Sequence, residues 1–500
     1  MDFLHSVLYG FQVSFQPFNL FYCFVGVLIG TLVGVLPGIG PAGAVAILLP
    51  ATFNVPAVSS IIMLAGIYYG AMYGGSTTSI LVNIPGESSS VVTCLDGYQM
   101  ARQGRAGPAL GISAFGSFIS GTIGVVGLMA LTYPLSRLAL KFGPPEYFSL
   151  TVLGLIILIY LTQKSLIKAI SMGTIGLILS FVGTDIVGGQ VRFTCGIDEL
   201  LDGVGLVPVA MGLFGITEVF KNLEIKIRQS IYRPHIKGLL PNRKDWSDSI
   251  WPILRGTAIG FFLGTLPGGG AALASFVAYG VEKRISKHPE KFGTGIIEGV
   301  ASPESANNAA SSSAFIPLMT LGIPSNVIMG MLFAGLVIHS ITPGPLLLQN
   351  HPDVFWGVIA SMYFGNVMLL VLNLPLIGMW VQITKIPLRL LFPIIIVICV
   401  IGVYSLKNSV FDLWVMIVFG IVGYIMGKCD YEPAPLLLAY ILGPMLEQGM
   451  RQSLLISNGS FWIFVSRPIS VASLLLAFIL LLTSVLGISK KKRLEVINQQ

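Results

Sequence analysis

The sequence predicts an all-α polytopic membrane protein of about 12 transmembrane helices, in two inverted repeats with broken or re-entrant helices. Composition, a repeated motif and the placement of charge carry that expectation. Of 500 residues, 54% are hydrophobic and 10% charged, against roughly 25% charged in an average soluble domain. Mean hydropathy is +0.84. At roughly 20 apolar residues per span, the apolar content suffices for on the order of a dozen spans.

Apolar stretches long enough to span lie near 18–36, 57–73, 109–135, 147–162, 165–183 and 204–220, and again near 250–266, 312–338, 354–382, 392–406, 410–427 and 433–446, with a last one at 469–489. Between the two sets, residues 221–255 carry eight Lys/Arg against three acids. The expected organisation is a first transmembrane repeat at 1–220, a basic cytoplasmic linker at 221–249 and a second repeat at 250–450. A C-terminal segment with an extra span (451–489) and a basic cytoplasmic tail (490–500) follow. The net charge of +7 is then a loop effect of the positive-inside rule, with no nucleic-acid partner implied.

The repeat shows in Gly34-Val-Leu-Pro-Gly-Ile-Gly40, which recurs as Gly264-Thr-Leu-Pro-Gly-Gly-Gly270 with five identities, and in Asn83-Ile-Pro-Gly86, echoed by Gly322-Ile-Pro-Ser325. Charge orients the copies. The segment after the first motif, Phe53 to Pro56, is uncharged, whereas its counterpart holds Lys283, Arg284, Lys287 and Lys291. If cations mark the cytoplasmic side, equivalent loops lie on opposite sides and the repeats are inverted. The first cation is Arg102, so no basic n-region of a cleavable signal peptide precedes the apolar sequence.

Six segments interrupt apolar sequence with Gly, Pro, Ser, Thr and Asn: 34–43, 74–90, 264–271, 302–313, 322–326 and 342–345. Each is expected to break a helix, and backbone freed at membrane depth must be buried in protein or line a hydrated cavity. Paired breaks in two halves point to a transport site. Tyr73 to Ser79 and Pro85 to Ser90 offer hydroxyls and amides at expected helix starts, which favour anions such as carboxylates. Pro303 to Ser313 adds Asn307 and Asn308. With no Arg or Lys in these motifs, a bound anion is expected to travel with a cation. The carbonyls around Gly38, Gly40, Gly268 and Gly270 could ligate sodium, with proton coupling as the rival. The competing reading of the glycines is close helix packing. Glu87 and Glu304 lie inside the polar segments and are the candidate coupling groups, because intramembrane acids are costly.

An enzyme is not expected. There is no GxxxxGK[ST] run for a P-loop, and Ser76 sits among further hydroxyls, with His339 in a distant apolar segment, which suits ligand binding better than a single activated nucleophile. The five cysteines are scattered, without disulfide or zinc spacing. No cofactor is expected beyond a coupling ion.

The run Gly66 to Glu87 (Gly-Ile-Tyr-Tyr-Gly-Ala-Met-Tyr-Gly-Gly-Ser-Thr-Thr-Ser-Ile-Leu-Val-Asn-Ile-Pro-Gly-Glu), Leu266-Pro-Gly-Gly-Gly270 and Pro303-Glu-Ser-Ala-Asn-Asn308 resemble the large membrane subunit of tripartite tricarboxylate transporters, the TctA family. Gly183-Thr-Asp185, Arg192-Phe-Thr194 and Pro208 to Gly215 fit it too, so the resemblance covers roughly 18–450. It implies a permease of the bacterial inner membrane that works with a small membrane subunit of the TctB type. A periplasmic solute-binding protein of the TctC type would deliver di- or tricarboxylates such as citrate, with an ion gradient driving uptake. Carried over by position, the substrate region comprises Gly74, Gly75, Ser76, Thr77, Thr78, Asn83, Pro85 and Gly86 from one half. From the other come Asn307, Asn308, Ser311, Ser312, Ser313, Gly322, Pro324 and Ser325. Ser325 departs from the family, in which Gly commonly follows the Ile-Pro pair.

Overall fold

The computed structural model describes residues 3–36, 40–162, 165–185, 188–224, 238–383 and 388–497. Residues 225–237 of the expected linker lie outside them. The protein is an all-α polytopic membrane protein. Among the described residues six helices are long and apolar enough to cross a membrane, and five shorter helices are apolar. The described strands are a two-residue antiparallel pairing of Gly183 with Arg192 and Thr184 with Val191.

In chain order the helices begin with α1 (Phe3–Ser14), α2 (Pro17–Val35), α3 (Gly40–Leu48), α4 (Ala57–Val82), α5 (Val91–Arg102), α6 (Ala106–Ala139), α7 (Pro144–Tyr160) and α8 (Leu166–Ser180). Then come α9 (Leu206–Ala210), a π-helical turn at Met211–Ile216, α10 (Thr217–Glu224), α11 (Arg243–Gly264), α12 (Gly270–Ile285), α13 (Glu298–Ser313), α14 (Phe315–Leu321), α15 (Val327–Ile338), α16 (Leu347–Asn350) and α17 (Pro352–Asn373). The chain continues through α18 (Ile377–Ile383), α19 (Leu388–Lys407), α20 (Val410–Lys428), α21 (Pro433–Ile456), α22 (Ile463–Ser466) and α23 (Pro468–Ile497). Two compact units result: one of Met1–Arg137, Val207–Thr265 and Gly269–Tyr424, the other of Leu138–Leu206, Leu266–Gly268 and Ile425–Gln500.

The first unit repeats one packing twice. On α2, glycines at every fourth position face α4: a Cβ on Gly26, Gly30 or Gly34 would stand 2.3, 2.6 or 2.3 Å from the carbonyl oxygens of Met63, Ile67 and Ala71. On α11, Gly256, Gly260 and Gly264 meet Ser302, Ala306 and Ala310 of α13 at 2.2, 2.1 and 2.4 Å in the same way. Without side chains between them the backbones approach closely and gain dispersion contact, which drives helix association where lipid offers no hydrophobic contrast. In both pairs the residue numbers rise together, so each pair is parallel.

The breaks repeat too. Asn83 ends α4 in the left-handed region (φ +58°) and Gly322 ends α14 there (φ +72°). Each is followed by Ile-Pro, and proline cannot donate the next helical hydrogen bond. Glu87 then caps the turn leading into α5 by accepting from the Ser89 amide at 2.6 Å, and Asn326 caps α15 by accepting from the Met329 amide at 3.0 Å. Gly40 and Gly270 open α3 and α12, again with positive φ.

Two expected breaks are corrected. Residues 74–82 are continuous with α4, and 302–313 form most of α13. Breaks fall only at 83–87 and 322–326 in these stretches. The small hydroxyl residues here do not compete with the helix: Ser79 donates to Gly75 O (2.9 Å), Ser311 to Asn308 O (2.8 Å) and Ser312 to Asn308 O (3.2 Å). An apolar surrounding enforces helix, because any freed backbone group would lack water.

In α20, Val410, Trp414, Ile417, Val418, Ile421 and Ile425 are all exposed along one face. That helical spacing of large apolar groups is a lipid-facing stripe, since a soluble surface does not carry one of this length.

Within the second unit, α8 packs on α21 so closely that a Cβ on Gly176 would lie 2.2 Å from Leu436 O. The 183–192 hairpin is tied to α21 by charge: Arg192 meets Glu447 at 2.7 Å, and Arg451 meets Asp185 at 2.7 Å and Glu447 at 2.8 Å. Gly268 lies against α7, where its Cβ would be 2.9 Å from the Leu158 Cα.

Candidate functional site

The helices that correspond in the two copies, α4 and α13–α14, run antiparallel where they meet. Tyr68 of α4 lies beside Phe315 with ring centroids 6.5 Å apart, whereas Ser76, two turns further along, reaches Glu304. Glu304 is 0% exposed. Its Oε2 accepts from the Ser76 hydroxyl and its Oε1 from the Thr93 hydroxyl of α5. The Asn307 amide stands 3.4 Å from Oε2.

Glu304, Asn307 and Asn308 are three and four residues apart and so share one face of α13. Asn308 Nδ2 donates to Ser117 Oγ of α6 at 2.8 Å, to Glu304 O at 3.1 Å and to Asn307 Oδ1 at 2.5 Å. Four helices therefore contribute to one buried polar cluster. It is held by uncharged donors: among the described residues Glu304 and Glu87 take part in no ion pair.

The tip of the first break seats on the same part of α4. Gly86 is pressed between α2 and α4, since a Cβ there would be 1.8 Å from Gly34 O and 2.7 Å from the Gly75 Cα. Glu87 crosses Gly75, whose Cβ would be 3.0 Å from the Glu87 Cγ. Its Oε1 accepts from Ser89 Oγ at 2.5 Å. Consecutive residues of α4, Gly75 and Ser76, thus touch the two buried carboxylates. In the second copy Ser325 Oγ donates to Ala314 O at 3.3 Å and Asn326 Nδ2 to Tyr68 Oη at 3.3 Å.

Of the sequence-predicted site residues, Ser76, Glu304, Asn307 and Asn308 gather in the cluster, and Gly75, Gly86 and Glu87 adjoin it. The others make local contacts. Gly74 packs on α2 with its Cβ position 2.3 Å from Thr31 O. Thr78 bonds back to Gly75 O at 3.2 Å, Ser313 to Ala310 O at 3.3 Å, and Ser311 and Ser312 to Asn308 O. Thr77 is buried in α4. Asn83 and Gly322 are the left-handed caps, with Pro85, Pro324 and Ser325 in the breaks. Of the glycines named for sodium, Gly38 lies outside the described residues; Gly40 and Gly270 are helix starts and Gly268 is a packing residue.

Sequence reasoning missed Thr93, Ser117, Tyr68 and Asn326. Thr93 had a weak signal: it ends a hydroxyl-rich run and stands three residues before Asp96. Ser117, amid apolar sequence, had none.

The family model described as the tripartite tricarboxylate transporter TctA family matches residues 20–438. The chain belongs to the TctA family. The resemblance read from the motifs is thereby borne out, and TctA is a family of transporters. Among its relatives, an uncharacterized 52.8 kDa protein in the TAR-I ttuC' 3' region of Agrobacterium vitis is 49% identical over 496 residues, covering 99% of each chain. An uncharacterized protein in the TAR-II ttuC' 3' region of the same organism is 49% identical over 237 residues, 47% of this chain and 98% of that one. No solved structure matches the chain. Family membership places the polar cluster in a transporter, where a buried carboxylate ringed by hydroxyl and amide groups can bind and release a cation or a proton.

Proposed function

We propose that this chain is the permease subunit of a tripartite tricarboxylate transport system in the bacterial inner membrane. It imports citrate-like di- or tricarboxylates by sodium-driven symport. A periplasmic solute-binding protein of the TctC type delivers them, and a small TctB-type subunit completes the membrane part. The reading is supported by membership of the TctA family and carried by one observation: Glu304, fully buried and without a cationic partner among the described residues.

An ionised carboxylate in that position is costly unless a positive charge joins it. Sodium is a hard cation that takes oxygen ligands, and Glu304, Ser76, Thr93 and Asn307 present carboxylate, hydroxyl and amide oxygens. This set replaces the glycine turns as the favoured cation site. Binding the cation in turn favours an anionic substrate nearby, so that cation and carboxylate move together. The substrate lies against Asn307, Asn308 and the start of α15, whose cap Asn326 is uncharged and whose amide dipoles favour negative charge. The antiparallel relation of the two copies supports inverted repeats, which present this site alternately to each side.

The test is uptake of radiolabelled citrate and other carboxylates into proteoliposomes holding the three components, under an inward sodium or proton gradient. Sodium-dependent accumulation is expected. Uptake under a proton gradient alone removes sodium. Substrate equilibrating without accumulation under either gradient indicates a uniporter, and no uptake across the panel discards the substrate class.

A further inference from the structure

Asp96 is fully buried on α5 and takes part in none of the ion pairs among the described residues. It is satisfied instead by the second copy. Its Oδ1 accepts from the backbone amides of Gly293 (2.9 Å), Gly295 (2.8 Å) and Ile296 (3.1 Å), and its Oδ2 from Gly293 N (3.1 Å) and the Tyr279 hydroxyl of α12 (2.8 Å). Gly293 and Gly295 take positive φ of +87° and +108°, which turns successive amides toward one anion, the geometry of a backbone nest. Gly299, in the first turn of α13, leaves room for the carboxylate: a Cβ there would lie 2.3 Å from Asp96 Oδ2. Gln103, one residue past α5, adds a bond from Nε2 to Thr294 O at 2.7 Å.

The clamp sits beside the candidate coupling site. Thr93, whose hydroxyl donates to Glu304, precedes Asp96 by three residues and shares its face of α5. Glu304 follows Gly299 on α13 by about 7.5 Å of helix rise. Asp96 to the 293–296 loop, along α13 to Glu304, across to Thr93 and back along α5 makes a closed circuit through two helices that lie antiparallel.

We propose that Asp96 is a positioning residue for coupling: by anchoring the loop that starts α13, it sets the register in which Thr93 of α5 faces Glu304. This deepens the proposed function and rests on the reading of Glu304 as the coupling carboxylate. Asp96 contacts neither cation nor substrate and acts through Thr93.

The experiment is a double-mutant cycle on sodium-dependent citrate uptake by the reconstituted three-component system, with Asp96→Asn, Thr93→Val and both together. Each single variant is expected to raise the sodium concentration for half-maximal uptake about tenfold, and the double variant no further, because coupled residues are non-additive. Tyr279→Phe, which removes one donor and keeps the backbone anchor, is expected to shift the same parameter by less, and guards against Asp96→Asn simply misfolding. If Thr93→Val shifts sodium dependence while neither Asp96→Asn nor Tyr279→Phe does, or if the effects add, the positioning role is overturned. If Thr93→Val and Glu304→Gln both leave sodium dependence unchanged, the reading of Glu304 itself fails instead.

Discussion

Ser76 of α4 donates its hydroxyl to the carboxylate of Glu304 on α13, joining corresponding helices of the two copies where they run antiparallel. The surroundings of that bond are wholly buried, so each group in it affects the others' charge state and placement.

Asn307 and Asn308 extend the polar face of α13 from this bond. Replacing both with alanine is expected to lower uptake at least about tenfold while leaving expression and monodispersity intact, because side-chain hydrogen bonds between membrane helices average only about 0.6 kcal/mol. Parallel uptake and size-exclusion measurements check this. Normal uptake by the well-folded double variant removes both amides from the site.

Gly260→Ala is expected to destabilise the protein by about 1–3 kcal/mol through overpacking, since the new Cβ would stand 2.1 Å from Ala306 O. Gly280→Ala, inside α12 with nothing within 4 Å of its Cβ position, is expected to be neutral or stabilising by up to about 1 kcal/mol from helix propensity. Thermal unfolding of the two purified variants distinguishes them; equal melting temperatures contradict the packing account.

The two break tips carry different residues after the Ile-Pro pair, Gly86 in one and Ser325 in the other. Gly86→Ala places a Cβ 1.8 Å from Gly34 O and is expected to abolish uptake, by displacing Glu87 from Gly75. Ser325→Gly loses one hydrogen bond to Ala314 O, about 0.5–1.5 kcal/mol, and is expected to retain uptake. Equal loss in both variants would show that the tips do not seat differently.

Inverted topology predicts that Asn54→Cys and Lys287→Cys, in a background lacking the five native cysteines, are labelled by impermeant maleimide from opposite sides of the membrane. Labelling from the same side ends the inverted-repeat reading.

Much of this was legible in the sequence for identifiable reasons. The Leu-Pro-Gly and Ile-Pro pairs mark real helix ends because proline removes a donor, and the left-handed caps at Asn83 and Gly322 require residues that tolerate positive φ. The glycines of α2 and α11 at every fourth position are the packing faces that small residues signal. What misled was 302–313, where Pro303 and a run of serines read as a break by propensities measured in water; burial in an apolar setting keeps it helical. The bond from Thr93 to Glu304 joins residues 211 apart and depends on how α5 crosses α13, which no local pattern encodes. The same holds for Asp96 and the 293–296 loop.

The most direct test of the central claim compares wild-type protein with Glu304→Gln in sodium-driven citrate accumulation and in citrate exchange at equal sodium on both sides. Glutamine keeps the shape and an oxygen for Ser76 or Thr93 but cannot carry the charge that a cation neutralises. Loss of accumulation by the folded variant, with exchange no longer sodium-dependent, is the predicted result. Undiminished accumulation with unchanged sodium dependence would contradict the account.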